Sequence, residues 1–186
     1  GDSVVGWYNA AYSLVLGFEP LPHLFMQALF PVLSYYFISS KKSLEKTYEK
    51  SFKFLYYFGL PTSVGIFLLS DKIIYLFYGS EFSNSVIALK ILSWDILLKF
   101  LYLCSSFLLI STDEQKKMAY IVIIAAVLNI FLNLIMIPFL SYIGSGIATI
   151  ITEIFLLVAY LLLNKQNSYS LKIKKFVFQP ILASIV

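Results

Sequence analysis

The chain carries 14 lysines and no arginine, and the places without lysine constrain it most. Eleven lysines fall in three clusters: Lys41, Lys42, Lys46, Lys50 and Lys53; Lys116 and Lys117; and Lys165, Lys172, Lys174 and Lys175. Long apolar stretches lie between them, each pair holding one connector almost free of lysine. A chain that crosses a bilayer back and forth puts every second connector on the same side, and cytoplasmic connectors collect lysine. The lysine-rich connectors 39–53, 111–117 and 164–175 alternate with 1–3, 70–84 and 139–146, which hold only Lys72. The pattern predicts a multi-pass protein of the cytoplasmic membrane whose first residues lie outside and whose lysine-rich connectors lie inside.

Composition excludes the other broad classes. The chain is 60% hydrophobic and 13% charged, with a mean hydropathy of +0.84; a soluble domain carries about 25% charge. The net charge of +4 is no nucleic-acid footprint, because the lysines cluster beside apolar stretches and no separate basic helix face exists. The single Cys104 cannot form an internal disulfide. The chain starts without Met or a basic leader and stops inside an apolar run, so the reading expects a piece of a longer membrane protein.

Read for spans, the sequence predicts an all-α membrane fold. A single transmembrane bundle over 1–186 would contain about five complete helices, near 4–38, 52–70, 86–110, 118–140 and 147–163. The start of a sixth would lie at 176–186. The first stretch is interrupted by Gly17, Pro20 and Pro22. Proline removes a backbone donor and disrupts a helix, and neighbouring helices or water must satisfy the freed groups. Residues 39–51 read as a short surface helix, and Ile73–Tyr78 as a segment lying along the interface.

Several strings then match one family in order and spacing. Gly6-Trp7-Tyr8-Asn9-Ala10-Ala11-Tyr12 opens a helix ending in Ala28-Leu29-Phe30-Pro31-Val32-Leu33-Ser34. Gly59-Leu60-Pro61, Leu76-Phe77-Tyr78-Gly79 and Ile91-Leu92-Ser93-Trp94 follow. The run from Leu128-Asn129 through Asn133 to Ile137-Pro138 and the string Ile143-Gly144-Ser145-Gly146-Ile147-Ala148-Thr149 complete the series. The series resembles the second half of polysaccharide flippases, Wzx-type members of the multidrug/oligosaccharidyl-lipid/polysaccharide exporter superfamily. Tyr35 and Gly144-Ser145-Gly146 depart from the usual pattern. The resemblance implies one bundle of a two-bundle transporter of 12 to 14 helices, with the N-terminal bundle of the same protein missing. It also implies movement of an isoprenoid-phosphate-linked sugar between leaflets by alternating access. A multidrug exporter of the same superfamily, which would bind an amphipathic cation, is the alternative.

An ionisable group at mid-membrane costs about 2.5–3.5 kcal/mol on insertion scales, so the polar residues inside the apolar stretches are the candidate site. Glu19, His23 and Gln27 recur every four residues. They read either as a cavity wall binding a proton or sodium ion, or as supports for backbone near the proline break. Asp95 and Lys99 are spaced to pair on one helix face. They are either a self-neutralising pair or a place where Lys99 attracts the carrier phosphate. Asn129 and Asn133 read as interhelical glue ahead of substrate contact, and Glu153 as a cavity residue or an interhelical hydrogen bond. Lys90 reads as a lysine snorkelling to the outer interface. No metal-ligand cluster, nucleophile elbow or phosphate loop appears, and no resident cofactor is expected. A polymerase or glycosyltransferase would need catalytic residues on sizeable external loops, and the longest lysine-poor connector holds only Asp71 and Glu81 as acids.

Overall fold

The computed structural model describes residues 2–169 and 171. Five α-helices follow one another: α1 Asp2–Leu16, α2 Pro20–Ser39, α3 Lys41–Tyr78, α4 Ser85–Ser111 and α5 Gln115–Gln166. The predicted start of a helix at 176–186 lies outside the described residues, as do Lys172, Lys174 and Lys175.

Local chemistry explains each boundary. The α1–α2 break spans Gly17 to Glu19, and Pro20 opens α2, where a missing N–H costs nothing because the first helical donors have no intrahelical partner. Between α2 and α3 a single residue, Ser40, turns the chain: its backbone is extended, and its side chain accepts from Ser43 N–H at 3.3 Å. Gly79 ends α3 at φ +79°, a conformation that side chains resist, and a short 3-10 turn at Ser80–Phe82 leads into α4.

α4 is the centre of the bundle, packed against α1, α2, α3 and α5. Its Leu92, Ile96, Phe100, Cys104 and Leu108 recur every four residues and are all buried. They share a core with Ala11 and Val15 of α1, Met26 and Leu33 of α2, and Leu44, Tyr48, Phe52 and Leu55 of α3. Gly59 lets α3 approach closely, because a Cβ there would sit 3.1 Å from the Phe100 ring.

Two expectations are overturned here. Among the described residues, three helical stretches are long and apolar enough to cross a membrane, Val4–Ser39, Lys41–Tyr78 and Gln115–Gln166, and not about five with the start of a sixth. α4 is not among them: it carries Lys90, Asp95 and Lys99, and most of its side chains are buried by its neighbours. The stretches expected at 118–140 and 147–163 are the two arms of α5, helices joined at a kink at Ser141 (φ 52°, ψ −137°). Likewise the surface helix expected at 39–51 and the interfacial segment expected at 73–78 are the two ends of α3. At 38 residues that helix is about 57 Å long, so its ends extend past a hydrocarbon core of about 30 Å.

α5 folds back on itself at the bend. Asn129 donates to the Thr152 hydroxyl at 3.0 Å although the two lie 23 residues apart, and a Cβ on Gly144 would sit 2.6 Å from the Met136 carbonyl oxygen. The described parts of the lysine-rich connectors gather at one end of the bundle. There the Tyr48 and Ser105 hydroxyls share a hydrogen bond at 2.8 Å, Asn164 donates to the Ser105 carbonyl at 3.1 Å, and Lys41 lies 5.6 Å above the Tyr169 ring. At the opposite end the Tyr142 hydroxyl donates to the Asn84 carbonyl, and Tyr142 meets Trp7 edge to face.

Candidate functional site

Lys99 is the hub of the polar groups inside the bundle. Its spacing from Asp95 puts both on one face of α4, and its Nζ lies 3.3 Å from Asp95 Oδ2. The helix break delivers a second acid: Glu19, the last residue before α2, brings its Oε2 within 3.6 Å of the same Nζ. Tyr12 of α1 supplies a ring face 5.6 Å away, a cation–π contact. The Asp95 side chain is 0% exposed, that of Lys99 8% and that of Glu19 41%, so the cluster grades from the interior toward its surroundings through Glu19.

The hydrogen bonding of these acids is incomplete. Among the described residues neither Asp95 oxygen has a hydrogen-bond partner, so the Lys99 contact is an ion pair without hydrogen-bond geometry. Glu153, on the second arm of α5, buries Oε2 with no partner and lies within electrostatic reach of Asp95, Lys99 and Glu19. Two carboxylates thus contact one ammonium, and a third lies within its electrostatic reach. Among the described residues, no group of His, Cys, Asp and Glu could hold a metal ion.

The remaining predicted residues lie elsewhere. His23 is exposed and sets its ring edge-on to Phe107 at 5.5 Å, and Gln27 is exposed further along α2. The four-residue stripe therefore splits: Glu19 alone turns into the cluster, because it precedes α2 instead of sitting within it. Asn129 ties the arms of α5 together, and Asn133 braces Asn129 from the same arm. Asn133 donates to the Asn129 carbonyl at 2.9 Å and to its side-chain oxygen at 3.0 Å, while Asn129 reaches Thr152.

Sequence reasoning missed Tyr12 at the hub and the buried Tyr48–Ser105–Asn164 node. Tyr12 carried a signal, since Tyr8 and Tyr12 are four apart and stack at 5.8 Å, with Tyr8 reaching the Thr149 hydroxyl at 3.5 Å. The node had none, since its members come from three helices and look like ordinary apolar-helix residues one at a time.

Comparison with known proteins adds the following. The family model MatE matches residues 1–135. The chain is 28% identical over 155 residues to the probable low-salt glycan biosynthesis flippase Agl15 of Haloferax volcanii, covering 80% of this chain and 32% of that protein. It is 27% identical over 165 residues to the lipid II flippase MurJ of Bacillus subtilis, covering 85% of this chain and 30% of that protein. The chain thus spans about a third of the length of the curated relatives it matches. No solved structure matches it significantly.

Proposed function

The chain belongs to the MatE family, a family of membrane transporters and not of enzymes, and from that premise we propose that it lines the path by which a lipid-linked oligosaccharide crosses the cytoplasmic membrane. The observation that carries this reading is the buried Lys99 ammonium, held between Asp95 and Glu19 with Glu153 nearby. Such a group in a membrane bundle faces protein or a water-filled path, because lipid solvates it poorly. The isoprenoid phosphate or pyrophosphate of the carrier would draw the ammonium off Asp95. Asp95 would then take up a proton, which needs only one oxygen, and Asp95 Oδ1 has no hydrogen bond to give up. The names of the two relatives, a glycan biosynthesis flippase and a lipid II flippase, support this substrate class.

Because the chain spans a third of those relatives, the activity we assign it is that of one bundle working with a first bundle of the same protein, the two rocking to expose the path alternately. We place the lysine-rich end on the cytoplasmic side. The contacts of Tyr48, Ser105 and Asn164 and of Lys41 with Tyr169 support this by gathering those connectors together. An amine reagent that cannot enter cells is expected to leave Lys46 and Lys116 untouched in intact cells; labelling of both from outside reverses the orientation.

A second reading, export of an amphipathic cation, has its own support: the family match leads to it more directly, and the excess of acids at Asp95, Glu19 and Glu153 over the one ammonium suits a cation. The two separate by experiment. The full-length protein is expressed in cells whose own glycan export is deleted, and surface glycan and efflux of ethidium are both measured. We expect glycan to return, and Lys99→Gln to reduce it about tenfold or more, as the loss of a charge-assisted contact of about 1.5–3 kcal/mol implies. Ethidium efflux without glycan display rejects the flippase reading in favour of the second.

A further inference from the structure

We propose that Lys90 and the groove beside it form a binding site for an anionic phospholipid at the lysine-poor end of the bundle. The groove has a volume of about 300 Å³ and lies where three helices meet. Phe67 of α3, Ile91 and Trp94 of α4, and Ile147 and Ile150 of α5 line it, and Lys90 supplies its single charge. The Phe67 and Trp94 rings lie 6.1 Å apart, tilted by 52°, as one wall.

Lys90 has two features that it shares with Lys72, and of the two it alone lines the groove. It belongs to none of the three clusters, so the rule that gathers lysine on the cytoplasmic side does not account for it. Among the described residues it also makes no ion pair, and neither does Lys72. Asp71 and Glu81, acids of the same end, make no ion pair among the described residues.

Position explains what such an ammonium can meet. Lys90 lies five residues into α4, about 7–8 Å from its start. The start is marked by the Tyr142–Asn84 hydrogen bond and the Trp7–Tyr142 ring contact, an aromatic grouping of the kind that collects at headgroup level. A lysine stem at that depth lies along apolar surface and lifts its charge to the headgroups. From there the groove runs inward past Ile91 to Trp94, so a ligand that fills it carries a negative head and a long apolar tail. A phosphate diester with acyl chains has both parts, and lysine binds phosphate as a point charge.

The test uses Trp94 as its reporter and does not depend on transport. In the full-length protein every tryptophan except Trp94 is replaced by phenylalanine, Trp7 among them, so that Trp94 is the one indole left. This protein is reconstituted in phosphatidylcholine vesicles doped at equal mole fraction with brominated phosphatidylglycerol or brominated phosphatidylcholine. Bromine quenches an indole only on contact. We expect roughly fivefold stronger apparent binding of the anionic lipid, the effect of one lysine near a headgroup, and equal quenching by the two lipids in Lys90→Gln. Equal quenching with Lys90 present overturns the proposal. So does an anionic preference that survives in Lys90→Gln, which assigns it to the general field of the protein. Unchanged Trp94 emission in neutral vesicles without bromine verifies that Lys90→Gln keeps the fold.

Discussion

Asp95→Ala is expected to destabilise the bundle by about 3–5 kcal/mol, the cost of stranding one charge of a buried pair. Asp95 is fully covered, and its removal leaves a Lys99 side chain only 8% exposed with Glu19 as its nearest acid, 3.6 Å away and 41% exposed. Glu19 is too wet to substitute, since exposed pairs contribute about 0–1 kcal/mol. The double variant Asp95→Leu with Lys99→Met removes both charges and fills the space with apolar atoms. It is expected to return to within about 1 kcal/mol of the parent or better, because apolar replacement of a whole buried pair is often neutral or stabilising. Thermal unfolding in detergent measures both variants, and the glycan-export assay measures function. A double variant that is stable and inactive makes the pair part of the transport path. One that is stable and active makes it a structural pair and removes Asp95 and Lys99 from the site. A single variant that loses less than about 1 kcal/mol denies the burial on which the argument stands.

Gly144→Ala carries the second large effect. A methyl group there would sit 2.6 Å from the Met136 carbonyl oxygen and 2.7 Å from its carbon, and these are backbone atoms that cannot swing aside. The two arms of α5 must part, which breaks the Asn129–Thr152 hydrogen bond and moves Tyr142 away from Asn84 and Trp7. Overpacking typically costs about 1–3 kcal/mol, and a backbone obstacle places this case at the upper end. Two controls isolate the cause. A Cβ on Gly146 would meet Ile91 at an ordinary 3.4 Å, and a Cβ on Gly65 meets nothing within 4 Å. Alanine at either should leave the melting temperature nearly unchanged. A Gly144→Ala protein that melts with those controls means that the arms of α5 do not approach as closely as the structure has them.

These two predictions rest on different parts of the reading. The Asp95–Lys99 contact follows from residue spacing alone, since positions four apart on a helix face the same way whatever surrounds them. In the sequence Gly144 was only one member of the Gly144-Ser145-Gly146 string. That it, and not Gly146, is the critical one depends on which backbone passes beside it. Glu19 shows the same division. Its four-residue spacing from His23 and Gln27 suggested a common face, but the break at Gly17–Glu19 turns it toward Lys99 and leaves the other two exposed.

The amino-acid order by itself determined that this chain is an apolar, multi-pass membrane protein whose lysines cluster in a few connectors, because hydropathy and charge act residue by residue against the bilayer. It also determined the ion pair on α4, because helical spacing is a local property of the backbone. Only the tertiary structure decided how many helices are long and apolar enough to span. Whether a polar flank such as 41–51 ends a helix or continues it depends on what packs against it: Leu44, Tyr48 and Phe52 bury their side chains and carry α3 through. The tertiary structure alone also brought Tyr12, Glu19 and Glu153 to Lys99, and Tyr48, Ser105 and Asn164 to one another. Contacts between distant segments are set by how helices pack, and no single helix encodes them.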